Sequence, residues 1–565
     1  MPKTIKWVLC IQLISTPLFS EQAPEPSTSL TDMNPDRHSH IRGVLGRYPA
    51  PSLPGVDLAW HIDRGIEYVS RVVNRKNRSI PFYGNRVAGT ALLTHSDWDV
   101  PHCVGRFLDV VMLWEETSGK RFGDEKLIHD LRRLLHDSVS SQDHQSHFPP
   151  GVDPYGKGPG GDVDWHSQRE VVLALIGLIK MRDDQKSLTL ATKLIGNYEK
   201  RFTEWSSGPD IPLDVVLSGR FIEAAIDLHR LTANPVALEV ARNLSDGFYN
   251  NIFDDKGKFP GPTNNQSGIQ TVDSLIEFGI YTNQARFVLR MKKVIDHGLN
   301  RYRTSTGLFF ADVGPLMEAN CSADIIKAEI LLGLNGYPEY LDDAERILRN
   351  GLLASQYLDP TLPEKNVTGK DSDQGIYTNA AERALGGFAF ALPNDMNNVA
   401  ADMVGGALHG LLHVWKNIVT RHEEGLRINF LFSKLTPDLE IYSYIPVKGQ
   451  VDLKVIKPEN VFVRIPGYVE LESLELTVDG KKAPKRMFGP YVLIPKQKSA
   501  SEVSIRFPQK VKTETETIQG FKEETGKKYR VEWLGDTVWN VTPHGKRPLF
   551  FPARLGLYGV NPQTP

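Results

Sequence analysis

The densest chemistry in the sequence lies in residues 96–114, SDWDVPHCVGRFLDVVMLW, which carry Asp97, Asp99, His102, Arg106 and Asp109. His102, Arg106 and Asp109 recur at spacings of four and three, which puts an acid, a base and a cation on one face of a helix opened by Pro101. Such a face can line a cavity; Arg106 and Asp109 can equally form a buried ion pair that braces the helix. The stretch GPGGDVDWHSQRE at 158–170 adds Asp162, Asp164, Trp165 and His166. Asp162 or Asp164 can cap the following helix, and Trp165 offers a flat face for the C–H side of a sugar ring. Arg220, Glu223 and Asp227 repeat the pattern in VLSGRFIEAAIDLHRL, and the loop GPTNNQSG supplies Asn264, Asn265 and Gln266, side chains suited to hydroxyl groups. At 316–356 a polar entry with Glu318, Asn320, Cys321, Ser322 and Asp324 runs into an apolar helix. An acid and a thiol at one helix start are a candidate part of an active site. No phosphate-cradling glycine loop, Gly-x-Ser-x-Gly elbow or His-Glu-x-x-His motif occurs.

These residues need a scaffold, and the apolar spacing supplies one. A period near 3.6 is legible in 57–74, 101–118, 125–139, 166–181, 187–203, 214–231, 235–250, 269–281, 284–301, 322–334, 340–355 and 400–418. Twelve helices in six hairpins, with short and long connections alternating, predict an (α/α)6 toroid over 55–422 whose long loops gather at one mouth. A helical solenoid is the competing arrangement, but no fixed sequence repeat supports it. Beyond residue 425 the pattern changes to period two. RINFLFS, DLEIYSYI, QVDLKVI, NVFVRIP, SLELTVDG, PYVLIP and EVSIRFP, with the hairpin KYRVEWLGDTVWNVTP, predict an antiparallel β-sandwich over 425–548. Residues 549–565 read as a tail.

Composition narrows the classes. The 565 residues are 40% hydrophobic and 24% charged with a net charge of −2, an ordinary globular balance that favours neither nucleic acid nor another polyanion as partner. Lys3 and Lys6 precede an apolar stretch from Trp7 to Leu18, so residues 1–20 read as a secretory signal peptide and 21–54 as an extended tail. That reading predicts a secreted or periplasmic protein with no membrane span. Only Cys103 and Cys321 remain beyond the signal; one bridge or two separate buried thiols are both open.

Together, WDVPHCVGRFLD, CSADIIKAEILLG…YLDDAERILRNGLLASQ, HVWKNI and INFLFSKLTPDLEIYSYIPVKGQVDLKVIKPENVFVRIPGYVE resemble the β-L-arabinofuranosidase-like superfamily, glycoside hydrolase family 127 and its relatives. The resemblance implies the toroid-plus-sandwich fold and hydrolysis of a glycosidic bond in an oligo- or polysaccharide of plant or algal origin. In that family a cysteine nucleophile belongs to a zinc site with a glutamate and two further cysteines, and another glutamate is the general acid. Here the family's Cys-Cys pair falls on Asp402 and Met403, Cys321 has its glutamate three residues upstream at Glu318, and Asp312 is the one carboxylate between Tyr302 and Met317. Expected histidines are replaced by Asn264, Asn265 and Gln266. One thiol and one acid do not close a tetrahedral zinc site, so zinc-thiolate chemistry is not expected, and neither is any cofactor. The resemblance then implies carboxylate chemistry, with Asp402 at the nucleophile position and Glu318, or Asp312, as acid; Asp402 as a plain helix cap is the alternative. Two other readings stay open: a barrel that has lost catalysis and only binds glycans, and a polysaccharide lyase built on His102, Arg106 and Tyr302.

Overall fold

The computed structural model describes residues 55–87, 90–149, 163–202, 218–259, 265–310, 317–358, 369–373, 375–392, 395–518, 525–545 and 549. The expected signal peptide, both tails, Asp162, Asn264 and Asp312 lie outside the described residues.

Each helical segment expected from the 3.6 period is present: α1 (Leu58–Arg71), α2 (Val104–Ser118), α3 (Glu125–Ser138), α4 (Gln168–Arg182), α5 (Gln185–Phe202), α6 (Phe221–Thr232), α7 (Pro235–Asn251), α8 (Asn265–Tyr281), α9 (Ala285–Lys293), α10 (Ala319–Leu334), α11 (Tyr340–Ile347) and α12 (Ala401–Asn417). The even-numbered helices form a closed ring, α12 against α2, α2 against α4, and so on through α6, α8 and α10 back to α12. The odd-numbered helices pack outside it. Sequence dictates the division. Outer α3 buries one stripe, Leu127, Ile128, Leu131, Leu134 and Leu135, and leaves the opposite face to solvent. Inner α10 is buried on nearly every side from Ala319 to Gly333. Short hairpin turns follow α4, α6 and α8, where Asp183, Ala233 and Asn283 adopt positive φ and stop the helix. Asp124 and Asn234 then cap the starts of α3 and α7 by accepting from Leu127 N at 3.0 Å and Val236 N at 3.0 Å.

The period-two region forms three sheets. One has five strands, Val419–His422, Gly425–Ile428, Val461–Arg464, Arg486–Phe488 and Tyr491–Ile494; a second has six, including Leu439–Ser443, Gln450–Val455 and Glu502–Arg506. Leu439–Ser443 and Gln450–Val455 alternate buried and half-buried residues, as packed sheets require. Pairing is antiparallel except between Gly425–Ile428 and Val461–Arg464, which run parallel from Leu426 opposite Val461. The third sheet joins Val511–Thr517 to the expected hairpin Lys528–Leu534 and Thr537–Thr542. The sandwich is fastened to α11 by Arg464, which donates to Asn429 O at 2.6 Å and ion-pairs with Asp342 and Glu345.

Besides the short pair Val73–Asn74 and Ile80–Pro81, a six-stranded sheet has no counterpart in the sequence reading. Gly84–Arg86, Leu92–Thr94, Met317–Glu318, Gly375–Ile376, Ala389–Leu392 and Asp395–Ala400 form six strands at the N-terminal ends of α10 and α12. This mouth sheet fixes where those helices begin, and with them Glu318 and Asp402.

Candidate active site at the barrel mouth

The ring brings polar residues from all six inner helices onto one axis, mostly at spacings of three, four or seven along a helix. His102, Arg106 and Asp109 come from α2 and the turn before it, Arg169 and Glu170 from α4, and Arg220, Glu223 and Asp227 from α6 and its entry. Gln266, Gln270, Asp273 and Glu277 come from α8, Asn320, Asp324 and Lys327 from α10, and Asp402, His409 and His413 from α12.

Asp402 stands at the mouth. Its Oδ1 ion-pairs with Arg106 Nε at 2.6 Å and hydrogen-bonds His102 Nε2 at 2.8 Å. It does not cap α12: the cap position is Ala400, which makes no side-chain cap bond. Ser167 Oγ lies 3.1 Å from His102 Nδ1. A hydroxyl donating there leaves the proton of a neutral imidazole on Nε2, aimed at Asp402. Burial by itself raises the Asp402 carboxyl, but Arg106 and then His102 overcome it and hold the group below the usual carboxylate range. Burial outweighs the neighbouring carboxylate for His102, lowers its pKa and keeps it neutral. Among the described residues Oδ2 of Asp402 has no partner, and the side chain is 12% exposed. One oxygen is clamped and the other faces the mouth.

Arg106 reaches Asp402 because Gly405 and Gly406 clear its path. A Cβ at Gly405 would lie 2.6 Å from Arg106 Cβ, and one at Gly406 would lie 2.5 Å from Asn320 Cβ and 2.9 Å from Arg106 Nη1. Below this level Glu170 Oε1 accepts from Arg220, from Arg169 Nη1 at 3.1 Å, and pairs with Arg106 Nη2 at 3.4 Å. Burial opposes its charge, but Arg220, Arg106 and Arg169 hold it well below the usual range. Arg220 also bonds His166 Nε2 and lies 3.5 Å from Gln266 Oε1. Several buried polar atoms are left without a partner among the described residues: His166 Nδ1, Gln266 Nε2, Asn320 Nδ2 and Asp324 Oδ2. A buried polar group without a partner costs ~1–3 kcal/mol, so this convergent set is suited to the hydroxyl groups of a bound molecule.

Glu318 is half-buried at the start of α10 and makes no helix-capping bond. Its strand, Met317–Glu318, pairs with Ala389–Leu392, which pairs with the strand leading into Asp402. Tyr83 lies within electrostatic reach of both acids: burial first, then Asp402 and Glu318, push its phenol well above its ordinary value, so it stays a hydroxyl donor.

Of the residues singled out in the sequence, His102, Arg106, His166, Arg220, Gln266 and Asp402 meet at this site. Three others are engaged elsewhere. Asp99 accepts from His95 Nδ1 at 2.6 Å, Tyr83 N at 3.0 Å and Ser96 N at 3.2 Å, which secures the turn before α2. Asp164 accepts from Ser167 N at 3.1 Å at the entry to α4, and burial pushes its carboxyl up to about 7. Trp165 packs edge-on to Tyr198 at 5.6 Å. The aromatic ring beside the site is Trp98, 5.6 Å from His102 and 5.0 Å from His166. Pro101 and His102 sit in a π-helical turn, Asp99–Cys103, ahead of α2 rather than in its first turn. Trp98, Tyr83, Arg169 and Glu170 were not picked out from sequence; the signal was their position beside His102, His166 and Asp402.

The zinc site implied by the resemblance is not supported by the donors present. Cys321 is buried with its Sγ 3.7 Å from Glu318 Oε2, Met403 occupies a position that the family fills with cysteine, and Asp402 is committed to Arg106 and His102. Cys103 and Cys321 are both buried and neither is in a disulfide.

No protein-family model and no curated protein matches the sequence. Solved structures do match. A family 127 β-L-arabinofuranosidase from Geobacillus stearothermophilus T6 aligns over 85% of this chain and 80% of its own, at 14% identity and a TM-score of 0.53. A second family 127 β-arabinofuranosidase aligns over 85% and 78%, at 12% identity and a TM-score of 0.58. A third structure, a glycoside hydrolase, aligns over 90% and 84%, at 13% identity and 0.55. The chain has the β-L-arabinofuranosidase-like fold. Its toroid, its sandwich and their order are those of a six-hairpin glycosidase. No helix among the described residues is long and apolar enough to cross a membrane.

Proposed function

We propose that this protein is an exported glycoside hydrolase that cleaves plant or algal glycans with two carboxyl groups and no zinc-thiolate. The observation that carries the reading is Asp402: ionised by Arg106 and His102 through Oδ1, with Oδ2 open to the mouth. Glycoside hydrolysis needs a carboxylate that attacks the anomeric carbon or activates water, and an acid that protonates the leaving oxygen. Asp402 Oδ2 takes the first role. Glu318, half-buried on the neighbouring inner helix, takes the second.

The remaining residues bind and orient. His166, Gln266 and Asn320 offer their unpaired polar atoms to sugar hydroxyls, Tyr83 adds a donor between the two acids, and Trp98 presents a ring beside both histidines. Arg106 and His102 keep Asp402 charged as the site dries around a sugar, where a lone carboxylate would otherwise take up a proton.

The test is release of reducing sugar from aryl glycosides and from plant and algal polysaccharides by the full chain. Cleavage of one of them is the expected result. Glycan binding with no cleavage across the panel would overturn the hydrolase reading in favour of a binding barrel.

A further inference from the structure

Below the mouth, on the same axis, lies a second cluster that the carboxylate reading does not use. Glu223 of α6 and His409 and His413 of α12 each offer one ligand atom, and these atoms lie within 4.8 Å of one another. His409 and His413 are four residues apart on one helix face, with ring centroids 4.7 Å apart, the spacing at which two imidazoles grip one ion. Apart from the approach of His409 Nε2 to Asp109 Oδ2 at 3.6 Å, neither imidazole has a polar partner among the described residues. From these positions we infer that Glu223, His409 and His413 form a divalent transition-metal site of the zinc class, on the barrel axis and separate from the mouth carboxylates.

The pairing around Glu223 leaves one oxygen to offer. Arg169 holds Glu223 Oε2 through Nε at 2.8 Å and Nη2 at 2.6 Å, and Lys327 pairs with Oε1. Lys327 also lies 3.0 Å from Glu277 and 3.7 Å from Asp273, so it can shift its charge to them and give up Oε1 to a metal ion. Donors about 2.0–2.1 Å from a tetrahedral zinc stand roughly 3.4 Å apart, so the three side chains close by about 1 Å on binding. Two nitrogens and an oxygen select zinc, cobalt or nickel over calcium or magnesium.

The test is titration of chelator-treated full-length protein with Co²⁺, followed by visible absorption, and with Zn²⁺, followed by calorimetry and metal analysis after gel filtration. Wild type should bind one equivalent. His413→Gln and His409→Gln should each weaken binding at least tenfold, while Cys321→Ser, which removes the one thiol near Glu318, should leave it unchanged. Far-UV circular dichroism of each variant establishes that it is folded. No binding at 100-fold excess of metal, binding that survives both histidine changes, or binding abolished by Cys321→Ser would overturn the site. None of these readouts depends on glycosidase activity, so failure here is distinguishable from failure of the hydrolase reading.

Discussion

Replacing Arg106 with leucine should destabilise the barrel in a strongly pH-dependent way. Arg106 Nε is 2.6 Å from Asp402 Oδ1, and the two side chains are 3% and 12% exposed. Removing one partner of a buried pair costs ~3–5 kcal/mol, because the other charge is stranded. Glu170 also loses Arg106 but keeps Arg220 and Arg169, so most of the damage falls on Asp402, left with His102 alone. In the wild type the Asp402 pKa is depressed. It therefore contributes stability above the unfolded value of about 3.9, and that stability is lost as pH falls through the folded value. In Arg106→Leu, burial dominates and lifts the carboxyl above about 3.9, so Asp402 then costs stability above that pH and stops costing it below. The gap between the two proteins should be widest at pH 7 and narrow toward pH 4. Denaturant unfolding followed at 222 nm at pH 4, 5.5 and 7 measures it. The double variant Arg106→Leu, Asp402→Asn should recover at least ~1.5 kcal/mol relative to the sum of the singles. A gap constant from pH 4 to 7, with singles that add within about 0.5 kcal/mol, would refute the pairing.

Further expectations concern packing. Gly406→Ala should destabilise by ~1–3 kcal/mol, since its Cβ meets Asn320 Cβ at 2.5 Å; a change below about 0.5 kcal/mol in denaturant midpoint analysis would show that α10 and α12 do not meet there. Ala233→Gly should stabilise by ~0.5–1 kcal/mol, because an exposed residue at φ 54° sheds left-handed strain of ~1–2 kcal/mol and gives back part as unfolded-chain entropy; thermal unfolding reads it, and a loss would contradict that backbone. Arg464→Met should strand Asp342 and leave Glu345 with Arg349 as its cation at the joint between α11 and the sandwich, and split melting into two calorimetric transitions, whereas a single unshifted transition would contradict the joint.

Much of the scaffold was legible because helices and strands announce themselves through local periodicity. The apolar stripe of α3 and the alternation of Gln450–Val455 need no distant partner to be recognised. The mouth sheet was not, because Gly84–Arg86, Met317–Glu318 and Gly375–Ile376 are two or three residues long and gain strand character only from one another. The site divides the same way. His102 and Arg106 stood out as polar residues on an apolar helix face. Glu223 was noted, but Lys327, Asp273, Glu277 and His413 read as ordinary helix residues until ring closure made them neighbours. Trp165 and Trp98 were equally eligible as sugar platforms by type. The entry to α4 points the first at Tyr198, and the π-helical turn before α2 sets the second beside His166.

The most direct test of the proposed chemistry is the rate on whichever glycan the chain cleaves, measured for wild type, Asp402→Asn, Glu318→Gln and Cys321→Ser. The two-carboxyl account predicts a loss of more than about a hundredfold for each of the first two variants, in line with general acid–base contributions of 10²–10⁴, and a change of only a few fold for Cys321→Ser. Activity that persists through Asp402→Asn and Glu318→Gln but disappears with Cys321→Ser would contradict it and return the chemistry to the thiol.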